Sequence, residues 1–194
     1  MSPASTLAEL SDRIASEGEP LAGHVRQPQE DPAFGRLAAA GPRTAALADE
    51  YAFVVEAVRE GYLCHYDTPR VLAGADDDLA LLAGDLFYAI GINGLAALDD
   101  PESVGILSDL IRVAAELRAE DRTEEAEALW LAQLLALSCG KTDELDELIV
   151  ALERGDSGSL ERLKEWSAKS ADGHGIGRAF GAARKAIDSG TSDR

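Results

Sequence analysis

The sequence predicts an all-α fold, a single helical bundle. Apolar residues recur every three or four positions over most of the chain, nothing alternates with a period of two for long, and Gly or Pro punctuates the periodic stretches. The 194 residues suit one compact unit with a frayed start. Residues 1–32 are expected to form a peripheral N-terminal helix and linker, and residues 33–190 the bundle.

Taken in order, residues 5–16 pattern as a short amphipathic helix through Leu7, Leu10 and Ile14. Gly18, Pro20, Pro28 and Pro32 then mark residues 18–32 as a linker. The clearest helix spans 44–66, with Leu47, Tyr51, Val54, Val55, Val58 and Tyr62 on an apolar face and Asp49, Glu50, Glu56 and Glu60 opposite. Pro69 and Gly74 end it, because a proline disfavours helix at the residue before it and a glycine reaches cap conformations readily. Asp76, Asp77 and Asp78 supply negative charge where the next helix begins, complementing the positive end of its dipole. That helix, residues 79–98, is apolar almost all round and is expected at the centre of the bundle. Gly84, Gly91 and Gly94 inside it each cost helix stability, so they point to close approach by a neighbouring helix.

Asp100 and Pro101 open another helix, with Val104, Leu107, Leu110, Ile111, Ala114 and Leu117 as its stripe, expected antiparallel to the central one. Further helical patterns cover 123–138, 142–153, 157–170 and about 175–188, separated by Cys139-Gly140, Gly155 and Gly173.

Thirty-six acidic residues against 18 basic ones give a net charge of −18, which repels nucleic acid and anionic membrane surfaces and favours cationic partners or bound metal. Cys64 and Cys139 sit in apolar helical patterns and suit a reducing cytosol; Glu9 and Asp12 occupy the region where a signal peptide would carry its basic flank. The uncharged run 86–98 falls short of the ~20 residues that cross a bilayer, so a cytoplasmic protein without a membrane span is expected.

Two places stand out chemically. His65 falls on an apolar stripe within Cys64-His65-Tyr66-Asp67-Thr68-Pro69-Arg70, and Asp85 is the sole charge inside an apolar helix. A buried Asp85 would need a partner, with Arg70, Arg59 and His65 as the candidates. Residues 55–67, with Glu56, Leu63, His65 and Asp67 in register, resemble the helix bearing the first aspartate-rich motif of the trans-isoprenyl diphosphate synthases, the polyprenyl synthetase family. Leu81-Leu82-Ala83-Gly84-Asp85 resembles that family's LAGD segment, which opens a long helix. Lys141-Thr142-Asp143-Glu144-Leu145 and Gly177-Arg178-Ala179-Phe180 are similar to its later motifs, so the likeness extends over about residues 44–188. It implies an isoprenoid-synthase-like bundle that works as a dimer.

The departures fall on the metal ligands. Tyr66-Asp67-Thr68-Pro69-Arg70 stands where the family has DDxxD, and Arg184-Lys185-Ala186-Ile187-Asp188 stands at the second such motif; only Gly41-Pro42-Arg43 answers an early lysine-bearing signature. Ionising an allylic diphosphate takes several Mg²⁺ ions held chiefly by carboxylates. His65, Asp67 and Asp188 are therefore read as vestigial, Gly84 and Asp85 as structural, and no residue as catalytic. Arg70, Lys141, Arg184 and Lys185 are candidate diphosphate contacts by charge pairing. No cofactor is expected, Mg²⁺ entering only with residual activity; Asp76, Asp77 and Asp78 are the one displaced metal candidate. The expected function is a pseudoenzyme, a non-catalytic partner or regulatory subunit forming a homodimer or a hetero-oligomer with a prenyl synthase. The alternatives are a binding protein for a prenyl or other apolar ligand, walled by Leu63, Leu82, Phe87 and Ile90, and an atypical prenyltransferase.

Overall fold

The computed structural model describes residues 4–190, which are helical throughout apart from turns and connecting segments; no strand occurs among them. The all-α class read from periodicity is the observed one. Its helices fall into two compact units, Met1–Arg36 with Leu47–Asp100, and Leu37–Ala46 with Pro101–Arg194. The division falls inside α2 (Ala33–Ala40), a short helix that lies in no predicted element.

In the first unit, α1 (Ala4–Ser16) packs on α3 (Ala48–Tyr66), and α3 packs along α4 (Asp77–Ala97). Residues 1–32 were expected at the periphery, yet the described part of this stretch builds the core. Leu7, Leu10, Ile14 and Leu21 are buried in one cluster with Ala57, Cys64, Val71, Leu72, Ala83, Phe87 and Ile90. The reason is energetic: a three-residue apolar stripe at 7, 10 and 14 gains about 1.5–3 kcal/mol per fully buried side chain, and α3 offers the surface. The linker is likewise structured. Val25 bridges Leu72, the Arg26 N–H donates to the Val71 carbonyl at 2.9 Å, and the Ala73 N–H donates to the His24 carbonyl at 2.9 Å.

The helix expected at the centre is an outer one. One face of α4 is buried through Ala83, Gly84, Phe87, Ile90, Gly91 and Leu95. The opposite face leaves Leu81 45% and Leu82 55% exposed. Apolar composition required that this helix be covered but could not say by what. Burial on nearly every side belongs instead to α3, continuous from Val54 to Cys64. Among the described residues α4 is the one helix long and apolar enough to cross a membrane, being 21 residues; the shorter uncharged run counted from sequence stopped at Asp85.

The glycines do what their spacing predicted. A Cβ on Gly84 would meet the His65 ring at 2.8 Å, and one on Gly91 would meet Val58 Cγ2 at 2.6 Å, so α3 and α4 touch at distances only glycine permits. Asp76 caps α4, its Oδ1 accepting from the Leu79 N–H at 2.9 Å.

In the second unit α6 (Thr123–Cys139) is buried without interruption from Ala126 to Ser138. Around it pack α5 (Pro101–Ala119), α7 (Asp143–Glu153), α8 (Ser159–Gly173) and α9 (Gly177–Gly190). The Pro101 helix, expected beside α4, packs on α6 within the second unit. Thr142 caps α7 through the Leu145 N–H, and the Arg122 guanidinium donates to the Leu152 carbonyl at 2.5 Å at its far end.

Gly91→Ala should destabilise the protein by about 1–3 kcal/mol through overpacking against Val58. Gly105→Ala, on the exposed side of α5 with open space around it, should stabilise it by up to about 1 kcal/mol through helix propensity. Urea unfolding of the two variants measures both, and equal effects would remove the close-approach account.

Candidate functional site

The polar residues with the most constrained surroundings lie in the first unit, where α3 meets the segment after it. Glu56 and Glu60 are four apart on α3 and so share a face. The sequence placed them with the solvated side; both are 0% exposed. The turn after α3 explains how they are tolerated. Asp67 ends the helix, its N–H donating to the Leu63 carbonyl at 2.8 Å while its Oδ1 accepts from the Thr68 N–H at 2.9 Å. Pro69 follows, and the chain returns Arg70 over the two carboxylates.

Arg70 Nη2 donates to Glu56 Oε2 at 2.6 Å, and Arg70 Nε donates to Glu60 Oε1 at 2.5 Å. The remaining carboxylate oxygens are also occupied: Glu60 Oε2 accepts from the Arg70 N–H at 2.9 Å and the Val71 N–H at 3.3 Å, and Glu56 Oε1 accepts from the Gly35 N–H at 2.6 Å. Burial alone would lower the Arg70 guanidinium, but the two carboxylates overcome it and hold it above its ordinary value. The second cation of the cluster, Arg59, lies over the rings of Phe34 and Tyr62, 4.3 and 4.8 Å from their centroids. Arg26 reaches the outside of the same turn, its Nε donating to the Arg70 carbonyl at 2.9 Å.

Beside this cluster His65 stacks on Tyr88, ring centroids 5.4 Å apart. Its Nε2 stands 3.3 Å from Asp85 Oδ1, at ion-pair distance but without hydrogen-bond alignment. Asp85 was expected to be buried and paired, with Arg70 as one candidate partner. Its side chain is 76% exposed and its partner is His65, because Arg70 is spent on Glu56 and Glu60 and because position 85 falls on the outer side of α4. Leu82 lies on that outer side too, whereas Leu63, Phe87 and Ile90 are buried, so these four residues do not wall one cavity.

The other predicted residues divide between the two units. Arg70 belongs to the first unit, and Lys141, Arg184 and Lys185 to the second. Lys141 pairs with Asp146 at 2.8 Å, at the start of α7. Arg184, Lys185 and Asp188 are exposed on α9. Arg43, the remnant of the early basic signature, donates to Ser103 Oγ at 2.8 Å and to the Leu137 carbonyl at 3.0 Å within the second unit. Asp76, Asp77 and Asp78 form a helix cap and first turn. Among the described residues no group of three or more His, Cys, Asp or Glu side chains is placed to hold a metal ion. Mg²⁺ wants a near-octahedral set of oxygens, and the carboxylates nearest the predicted motif do not fit it, since those of Glu56 and Glu60 are consumed by nitrogen donors.

Sequence reasoning missed Glu56 and Glu60 as the partners of Arg70. The available signal was the apolar character of α3 on both sides of them, which left no solvated face for either acid. Comparison of the chain with protein-family models, with curated proteins and with solved structures finds no match to any of them.

Arg70→Ala leaves two buried carboxylates uncompensated and should cost about 3–5 kcal/mol, whereas Asp85→Ala removes an exposed pair and should cost less than about 1 kcal/mol. Tyr51, Tyr62, Tyr66 and Tyr88 all lie in this unit, and Trp130 and Trp166 in the other, so tyrosine absorbance during urea unfolding reads the relevant transition. A second expectation concerns Cys64. Burial, helped by the nearby Glu60 charge, pushes its thiol up from 9.0 to about 12. The folded state thus favours the neutral thiol, a contribution to stability that is complete below pH 9.0 and lost as the pH rises towards about 12. Native protein at pH 8 should react with a thiol reagent at Cys139 well before Cys64, and mass mapping of the labelled cysteine decides it.

Proposed function

We propose that this chain is a non-catalytic helical protein that acts as a partner or regulatory subunit, with the outer face of α4 as its assembly surface. The observation that carries the reading is how the charged and apolar groups are spent. Arg70, the cation nearest the place where a diphosphate-metal site would stand, is neutralised by two buried carboxylates of its own unit. Among the described residues the large apolar side chains left exposed are Leu47, Leu81, Leu82 and Val150, and the two most exposed of them, Leu81 and Leu82, sit together on α4. Internal pairing of this kind holds a fold in register and leaves no charge for a substrate, while an exposed leucine pair beside Leu86, Ala89 and Ile92 suits a helix of another chain. The sequence resemblance to prenyl synthases makes such a synthase the first hetero-partner to test. Mg²⁺ has no part in this reading.

Supplied with an allylic diphosphate, isopentenyl diphosphate and Mg²⁺, the isolated protein should form no prenylated product. Turnover that is lost on Asp76→Ala or Asp78→Ala would overturn the reading in favour of an atypical prenyltransferase. Mixed with a prenyl synthase from the same source, it should cosediment, and Leu82→Asp should abolish cosedimentation while leaving the circular dichroism spectrum unchanged.

A further inference from the structure

The chain carries no Lys, Arg or His between Arg70 and Arg112, and the whole of α4 lies inside that gap. Its acids are set around the outer face. Asp76, Asp77 and Asp78 stand at the start of the helix, Asp85 within the face and Asp99 just past the end. At 100° per residue the exposed Asp78, Leu82, Asp85, Ala89, Asn93 and Ala96 fall within about 40° of one midline, with the exposed Leu81 and the half-buried Leu86 and Ile92 on its flanks. An apolar strip is thus bracketed and crossed by carboxylates. Other exposed acids of the chain are matched locally, Glu116 by Arg112, Glu124 and Glu161 by Lys164, and Asp146 by Lys141. Among the described residues Asp77, Asp78 and Asp99 meet no such cation. The carbonyl end of α4, where the helix dipole is negative, also has no basic residue in its last turn.

From this charge pattern we infer that the occupant of the face is a cationic amphipathic helix of another protein, its apolar stripe flanked by Lys or Arg. The inference rests on the assembly reading above and names the chemistry of the partner. Helices that pack at a shallow angle run side by side for several turns, so charges beside the two stripes stay within reach of each other. Asp78 and Asp85 are seven residues apart, about 10 Å along the axis, and cations at the same interval on the partner answer both. A further cation near the far end answers Asp99 and the negative end of the dipole. Large side chains of the partner have room opposite Ala89 and Ala96, where α4 offers only methyl groups. Charge also selects among occupants. A second copy laid α4 on α4 would bring acid to acid. An anionic membrane is repelled by a net charge of −18, and any bilayer would have to take up Asp85 in the middle of the contact. The leucines supply the burial, and the flanking pairs steer the encounter and choose the partner.

The test uses the full chain and three labelled helical peptides long enough to span α4, read by fluorescence anisotropy. The first has a leucine stripe flanked by lysines, the second has the same composition with the lysines moved to the side opposite the stripe, and the third has glutamates in place of the lysines. The first should bind at least about tenfold tighter than either of the others and should loosen as salt is raised. Asp78→Asn combined with Asp85→Asn should weaken it about fivefold. Glu144→Gln combined with Glu147→Gln, which removes as much charge from the exposed side of α7, should leave its affinity unchanged. Asp85→Lys should weaken the lysine peptide and tighten the glutamate peptide. Leu82→Asn should weaken the lysine peptide with an unchanged circular dichroism spectrum. Equal binding of the first two peptides, tighter binding of the glutamate peptide by the unaltered chain, an affinity indifferent to Leu82→Asn or to the Asp78 and Asp85 pair of changes, or flotation of the chain with phosphatidylcholine vesicles would each overturn the inference. If no peptide binds while cosedimentation with a prenyl synthase is still lost on Leu82→Asp, the assembly reading stands and only the cationic partner falls; if the chain does neither, both fall.

Discussion

The Arg70 guanidinium, closed over two buried glutamates, is the constraint on which the first unit depends. Neither Glu56 nor Glu60 reaches water, so each has to be matched where it stands, and a single planar cation with several donors can serve both at once. Matching them fixes the turn between α3 and α4, because the backbone N–H groups of Arg70 and Val71 join the same carboxylate. The segment 71–73 held in this way then pairs with residues 24–26, which follow α1 in the chain. Removing one charge from this arrangement strands the others, whereas an apolar replacement of all three at once would not.

Beside that polar lock the unit relies on a close apolar contact. Phe87, Ile90 and Leu95 fill the α3 side of α4, and glycines at 84 and 91 let His65 and Val58 lie against the α4 backbone. Such contacts are worth having only where the dispersion and burial they provide exceed the helix propensity lost at each glycine. The consequence is directional. All the small residues needed for approach to α3 lie on one face, and the face turned away keeps its leucines, alanines and one asparagine without a covering helix from this unit. The proposed function follows from that asymmetry.

In the second unit the organisation is different. There α6 is enclosed by α5, α7, α8 and α9, its burial continuous over three and a half turns or so. The acidic surface that gives the chain its net charge is laced with local pairs such as Arg112 with Glu116 and Lys164 with Glu124. Exposed pairs of this kind contribute little to stability individually, so the unit is held chiefly by the apolar surround of α6.

Periodicity, caps and breakers determined the element list: all eight predicted helices reappear within a few residues of their expected bounds, because i, i+3, i+4 spacing and Gly or Pro punctuation are local properties of the chain. Close approach through the α4 glycines was legible for the same reason, as was the capping role of Asp76. Tertiary structure alone decided what covers what. Hydropathy marks α4 and α6 alike as apolar, yet only α6 is enclosed; the α1 stripe is short enough to read as peripheral, yet it enters the core. The candidate site shows the same limit. The acids of α3 and the arginine after Pro69 were each visible in the sequence, but their meeting depends on the path of one turn through space. Charge pairing across that turn is set by distance and burial, which no spacing along the chain encodes.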